Sequence, residues 1–285
     1  MLGSHLARRG QSEGEGSPRP SCIFALLTRR REWLSQRVLI SILNALGVGT
    51  VLNAAGIVIG GVLGMTMRKP LSPANQNFFK VMLGVGAVYF GLRLTWLSVS
   101  GTFLQMLKQV AIILLAMMLG RVTGRLLRLQ KTSNRLGQFA RERMERARPA
   151  NPHRWSDGFN TCALLFCAAP LAVLGAVPDG LSGYYQPLII KSVMDGLAVM
   201  AFVSSFGWGA ALSALPVLAY QGTIVLLARW AEPLLREQGL VDPVNAVGGL
   251  LVFCVALIIL ELKKIELTDY LPSLAFAPLI TWLWR

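Results

Sequence analysis

Histidine, cysteine and acidic residues are all scarce in this chain. The two histidines, His5 and His153, lie outside every apolar run, and the four cysteines (Cys22, Cys162, Cys167, Cys254) form neither a CxxC pair nor a Cys/His ligand spacing. Spacing therefore gives no disulfide framework, no metal site and no cofactor motif, and the thiols are expected to be packing residues. Charged residues make up 15% of the chain, whereas a soluble domain carries about 25%. No GxSxG elbow and no His-based dyad accompanies Asp157, Asp179, Asp195 or Ser192. Those four are the candidates for acid–base or nucleophilic chemistry, and without a partner motif the protein is not expected to be an enzyme. Period-2 alternation is also missing from the apolar runs, which excludes a transmembrane barrel.

What is present is apolar length. Hydrophobic residues reach 54% and come in runs near the ~20 residues that a helix needs to cross a bilayer. Seven runs qualify: Gly49–Met67, Phe78–Leu97, Phe103–Leu127, Gly158–Val177, Pro187–Phe206, Ala210–Ala228 and Val244–Leu262. A shorter piece, Leu271–Trp284, contains two prolines and reads as a short eighth span or a re-entrant segment. The predicted fold is all-α, a polytopic transmembrane helical bundle of seven spans plus the short eighth. Its domain is residues 48–285. Residues 1–47, rich in Arg, Ser, Gly and Pro, read either as a disordered extension or as a start-site artefact with Val48 as the true initiating residue.

The formal net charge is +14, and it is concentrated. Residues 121–154 hold ten Lys/Arg against two acids, and residues 1–47 hold seven Arg against three. The first cluster makes the connector at about 128–157 a basic helical segment. Arg121, Arg125, Arg128, Lys131 and Arg135 recur every three or four residues, so the third helix is expected to continue past the bilayer. Its Leu129, Leu136 and Phe139 side suits an anionic lipid surface. Nucleic acid is not an expected partner, because the basic stretches flank apolar spans and no base-stacking module accompanies them. By the positive-inside rule the connector is cytoplasmic, with Lys80, Lys263 and Lys264 on the same side.

Within the runs, polar residues are few enough to name. Lys191 and Asp195 lie four apart in the fifth span, on one helical face. Charges in lipid are costly, so the pair must face protein, water or each other. Lys191 could snorkel outward and free Asp195 to bind a cation or proton, or the two could close on each other. A static ion pair that locks the helix into the bundle is the plain alternative. Gln221 and Asn53 stand alone in the sixth and first spans, and Asp179 sits in the polar turn after the fourth. Asp195, Lys191, Gln221, Asn53 and Asp179 are the candidate solute- or ion-binding residues. Gly56, Gly60 and Gly64 form a GxxxGxxxG ridge expected to pack a neighbouring helix. A loose likeness between the second and seventh spans, residues 83–90 and 247–254, raises an inverted repeat of spans one to three and six to eight.

Several stretches carry a family resemblance: Gly49-Thr50-Val51-Leu52-Asn53-Ala54, Leu164-Leu165-Phe166-Cys167, Pro178-Asp179-Gly180-Leu181, Lys191-Ser192-Val193-Met194-Asp195-Gly196, Leu215-Pro216-Val217-Leu218-Ala219-Tyr220-Gln221-Gly222, Ala246-Val247-Gly248-Gly249 and Lys263-Lys264-Ile265. From Gly49 to Ile280 the chain resembles the domain-of-unknown-function 554 family of bacterial inner-membrane proteins. Asp242-Pro243 departs from the Asn-Glu pair the resemblance implies. The resemblance implies a multi-pass fold and an inner (plasma) membrane address, without a reaction. Two functions follow as expectations: a transporter or channel for a small solute or ion, or a non-transporting scaffold that docks partners through its basic cytoplasmic helix. Self-association into a homo-oligomer is compatible with either.

Overall fold

The computed structural model describes residues 46–67, 71–146 and 154–284. The expectation for residues 1–47 falls, apart from its last two positions, outside them. The chain is all-α, as the apolar runs require. In order, the helices are α1 (Val48–Thr66), α2 (Pro73–Leu97), α3 (Phe103–Leu126), α4 (Leu129–Arg146), α5 (Arg154–Ala168), α6 (Pro170–Ser182), α7 (Gln186–Phe206), α8 (Gly209–Leu212), α9 (Ala214–Glu237), α10 (Val241–Ile259) and α11 (Ser273–Leu283), with a 3₁₀ turn at Leu267–Tyr270.

Local chemistry sets several of the boundaries. The Ser72 hydroxyl accepts the Asn75 amide at 3.3 Å and Pro73 takes the first helical position, which starts α2. Gln105 reaches back to accept the Thr102 amide at 2.8 Å, at the start of α3. Gly183, with φ 68°, ends α6 in the left-handed conformation that glycine adopts without a Cβ penalty.

Three sequence expectations change here. Among the described residues, six helices are long and apolar enough to cross a membrane, and a seventh crossing requires counting a bent pair. That pair is the expected fourth span. It is broken at Ala169, and its halves, Trp155–Ala168 and Pro170–Ser182, meet at 61°. Pro170 is the physical cause: it has no amide to donate back across the break, and it takes the start of α6, where that amide is not needed. The expected eighth span is an 11-residue helix, Ser273–Leu283. At 1.5 Å per residue it measures about 16 Å, too short to cross alone. Finally, the third helix does not continue into the connector. Arg128 has φ 55°, and the free amide of Gln130 is taken at 2.8 Å by the Asp269 carboxylate, which starts α4 as a separate helix.

The exposed side chains mark the lipid face. Along α2, Phe78, Val81, Met82, Val85, Tyr89, Leu92 and Trp96 are all exposed at helical spacing. An outward apolar stripe of that kind is stable only in a hydrocarbon solvent. Among the described residues, the inner faces form two large cores and a small one of Leu181, Val241 and Val244. One large core gathers Ile112, Ala116, Leu174, Leu251 and Val252, and the other Ile57, Cys162, Phe166, Val199 and Phe206.

Among the described residues, Arg236 pairs with Glu232 near the end of α9, and three further ion pairs gather at the opposite end of the bundle. Lys80 pairs with Glu261, Arg125 with Glu266 at 3.3 Å, and Arg143 with Asp157 at 3.1 Å. At the other end Lys108 donates to the Trp284 carbonyl at 2.7 Å.

The contact that positions the site is between α1 and α7. Gly56, Gly60 and Gly64 lie against Ser192, Gly196 and Met200, one turn apart on each helix. At Gly60 the approach is backbone to backbone: an added Cβ would stand 2.1 Å from the Gly196 carbonyl oxygen. The Ser192 hydroxyl donates to the Leu52 carbonyl at 2.8 Å across the same seam.

Candidate functional site

Helices α1, α5 and α9 supply the side chains around the middle of α7. Lys191 and Asp195 occupy its sixth and tenth positions of 21, one turn apart, and both are buried. Their side chains form an ion pair through Lys191 Nζ and Asp195 Oδ2. Of the two arrangements open from the sequence, the structure has the closed pair. Lys191 is 1% exposed and does not snorkel.

The neighbours are supplied by the close α1 seam and by α9. Asn53 Nδ2 donates to Asp195 Oδ2 at 3.2 Å and to Gln221 Oε1 at 3.0 Å, so one amide bridges α7 and α9. Both amide side chains are fully buried. Phe166, in the last turn of α5, lies 5.8 Å from Lys191 Nζ, ring centroid to nitrogen. That distance is within cation–π range. The break between α5 and α6 therefore lies only three residues from a side chain that touches the site.

The quartet is not saturated. Asn53 Oδ1, Gln221 Nε2 and, one turn earlier on α1, Thr50 Oγ1 are buried without a hydrogen-bond partner. Each such group costs on the order of 1–3 kcal/mol, and native proteins keep few of them. Three on adjoining positions give the site a donor, an acceptor and a hydroxyl to offer to a polar guest. Below Asp195, toward the end that carries the basic residues, a cavity of about 610 Å³ runs between α1, α2 and α7. Gly64, Gln76, Lys80 and Leu83 line it, and it reaches Met194, the residue next to Asp195.

Asp179 sits elsewhere. It is buried on α6, and its Oδ2 accepts the Gly49 amide at 3.0 Å, at the first turn of α1. An aspartate there satisfies an unpaired helix-end donor and opposes the positive end of the helix dipole. Asp179→Ala is expected to lower stability by about 0.5–2 kcal/mol, as loss of a helix cap does. Asp179→Asn is expected to recover most of that loss, and thermal unfolding in detergent measures both. Among the described residues no group of three or more His, Cys, Asp or Glu side chains is placed to hold a metal ion.

The polar members of the site were visible in the sequence. Phe166 and Thr50 appear there only within the stretches that carry the family resemblance and not as site residues, because a Phe and a Thr in apolar runs carry no site signal until the helices are assembled.

The sequence profile of the family described as "Protein of unknown function (DUF554)" matches residues 48–282. The chain belongs to the DUF554 family. Relatives of this DUF554 protein include the "Uncharacterized membrane protein YdfK" of Bacillus subtilis (strain 168), 27% identical over 233 residues, which is 81% of this chain and 94% of that protein. The "Uncharacterized protein YqgA" of Escherichia coli (strain K12) is 26% identical over 238 residues, 83% of this chain and 97% of that protein. No solved structure matches. With its long apolar helices and bacterial relatives, this DUF554 protein is a multi-pass protein of the bacterial inner (plasma) membrane.

Proposed function

We propose that this DUF554 protein moves a small polar solute or an ion across the membrane, with Lys191, Asp195, Asn53 and Gln221 as its binding site. The observation that carries the proposal is a buried charge pair in mid-span whose polar partners, drawn from two other helices, keep hydrogen-bonding capacity unused. Ionisable groups inside a bilayer are costly and concentrate on substrate and ion pathways.

Two further features support it. The cavity at the basic end extends as far as Met194, the residue next to Asp195, and positive-inside orientation makes that end cytoplasmic. The α5–α6 break beside Phe166 is the discontinuous-helix arrangement that transporters use around a midplane site. In this function no covalent bond is made or broken. A guest cation or proton at Asp195 weakens the hold on Lys191, and the free Asn53 Oδ1 turns to that guest, whereas the free Gln221 Nε2 donates to an acceptor on a polar solute.

The test is thermal unfolding of purified protein against a panel of small solutes, with Na⁺ or K⁺, across pH. A ligand at one hundred times its Kd stabilises by about 2.7 kcal/mol. The expected result is a solute- or ion-specific rise in Tm that Asp195→Asn abolishes. A rise of the same size in parent and folded variant would refute the assignment of the site.

A further inference from the structure

A second cavity, of about 860 Å³, lies at the connector end of the bundle, apart from the quartet. Its upper wall is cationic. Arg121 and Arg125 come from the last turns of α3, and Lys263 and Lys264 from the loop after α10, with Glu266 as the single acid among the lining residues. Its lower wall is apolar, from Met117, Leu257 and Ile258.

The cations are not equivalent. Arg125 is held by Glu266 at 3.3 Å, and Arg121 is steered over the Tyr270 ring at 5.7 Å from its centroid. Lys263 and Lys264 are exposed, and no carboxylate among the described residues pairs with either of them or with Arg121. Elsewhere at this end the basic side chains do find acids: Lys80 has Glu261 and Arg143 has Asp157. Three like charges gathered at one mouth repel within a Debye length of about 8 Å unless an anion joins them.

The position of the cavity fixes the class of anion. Arg121 lies four residues past Met117 on the same face of α3, so the charged rim stands about 6 Å above the apolar wall. That is the profile of a lipid at the bilayer interface, phosphate above and acyl chain below. We propose that this cavity binds an anionic phospholipid, its headgroup phosphate held by Arg121, Lys263 and Lys264 and its acyl chain laid against Met117, Leu257 and Ile258. The lipid joins the α3–α4 junction, which is continuous in the chain, to the end of α10, which is distant in sequence. This site does not depend on the transport proposal.

The experiment titrates delipidated full-length protein with phosphatidylglycerol, with phosphatidylcholine and with inorganic phosphate, reading Tm in detergent. Phosphatidylglycerol is expected to raise Tm saturably, and the other two are not. Lys263→Gln/Lys264→Gln is expected to weaken the apparent affinity about fivefold for each charge removed, with Tm in phosphatidylcholine unchanged. Arg121→Gln, which also breaks the ring contact, is the second variant. The control, Lys131→Gln/Arg135→Gln on the connector, removes the same charge from residues that do not line the cavity and is expected to keep the effect. Equal stabilisation by inorganic phosphate would make this a soluble-anion site and overturn the proposal. An equal loss in the connector control would reduce it to diffuse surface attraction, and an equal response to phosphatidylcholine would remove the headgroup from the account.

Discussion

Asp195→Asn alone is expected to destabilise the protein by about 3–5 kcal/mol, and Lys191→Gln alone by a similar amount. Each change strands the opposite charge in a buried site, and an uncompensated buried charge is what makes breaking such a pair expensive. The double change K191Q/D195N removes both charges and is expected to recover most of the loss, because replacing both members of a buried pair is close to neutral. The surroundings strengthen the contrast. Asn53 Nδ2 already shares itself between Asp195 and Gln221, so an amide at 195 still has a donor to accept from. Reversible unfolding of the four proteins gives the coupling directly. Simple additivity of the two single losses would mean that the charges do not face each other. The folded double variant then separates structure from function. It keeps the bundle but has no charge to exchange, so transport should vanish; full transport by it would leave the pair a structural lock.

The second large effect is steric. Gly60→Ala is expected to cost about 1–3 kcal/mol or more, the range for overpacking a tight contact. The added methyl would fall 2.1 Å from the Gly196 carbonyl oxygen and 2.7 Å from the Gly196 Cα. Those are backbone atoms, so no rotamer change relieves the clash and the helices must separate. Separation along this seam also pulls Asn53 from Asp195, so any binding signal should fall with stability. Gly137→Ala in the exposed connector helix is the control, since nothing lies within 4 Å of the new Cβ. There the better helix propensity of alanine is expected to stabilise slightly, by up to about 1 kcal/mol. Denaturation midpoints of the two variants, and their yields in folded form, test the contrast. A Gly60→Ala protein as stable as its parent would contradict the close seam.

Much of the site was legible because membrane sequences leave so few polar residues to consider. Asn53, Lys191, Asp195 and Gln221 each stand out in an apolar run, and the structure brings all four into one network. The sequence could not say that α1 packs along α7 or that Gln221 of α9 reaches the pair through Asn53, since that depends on pairings more than 140 residues apart for Asn53 with Asp195. Asp179 looked similar in kind but serves α1 from 130 residues away. The break at Pro170 was visible as a proline, though not its 61° consequence. At Arg128 the sequence misled for a physical reason. Basic residues keep helical spacing through the junction, and what stops the helix is a carboxylate at Asp269 in a distant loop.

The glycine seam has a mechanical consequence. With backbone against backbone at Gly60 and Gly196, and the Ser192 hydroxyl fastened to Leu52, α1 and α7 behave as one rod. Asn53, Lys191 and Asp195 all ride on that rod, whereas Gln221 sits on α9 and Phe166 beside the hinge of α5 and α6. Under the proposed transport, opening of the site leaves the rod intact and swings α9 or the bent α5–α6 crossing away from it. A pair of spin labels on α1 and α7 should report one fixed distance in every state, and a pair on α1 and α9 should report the stroke.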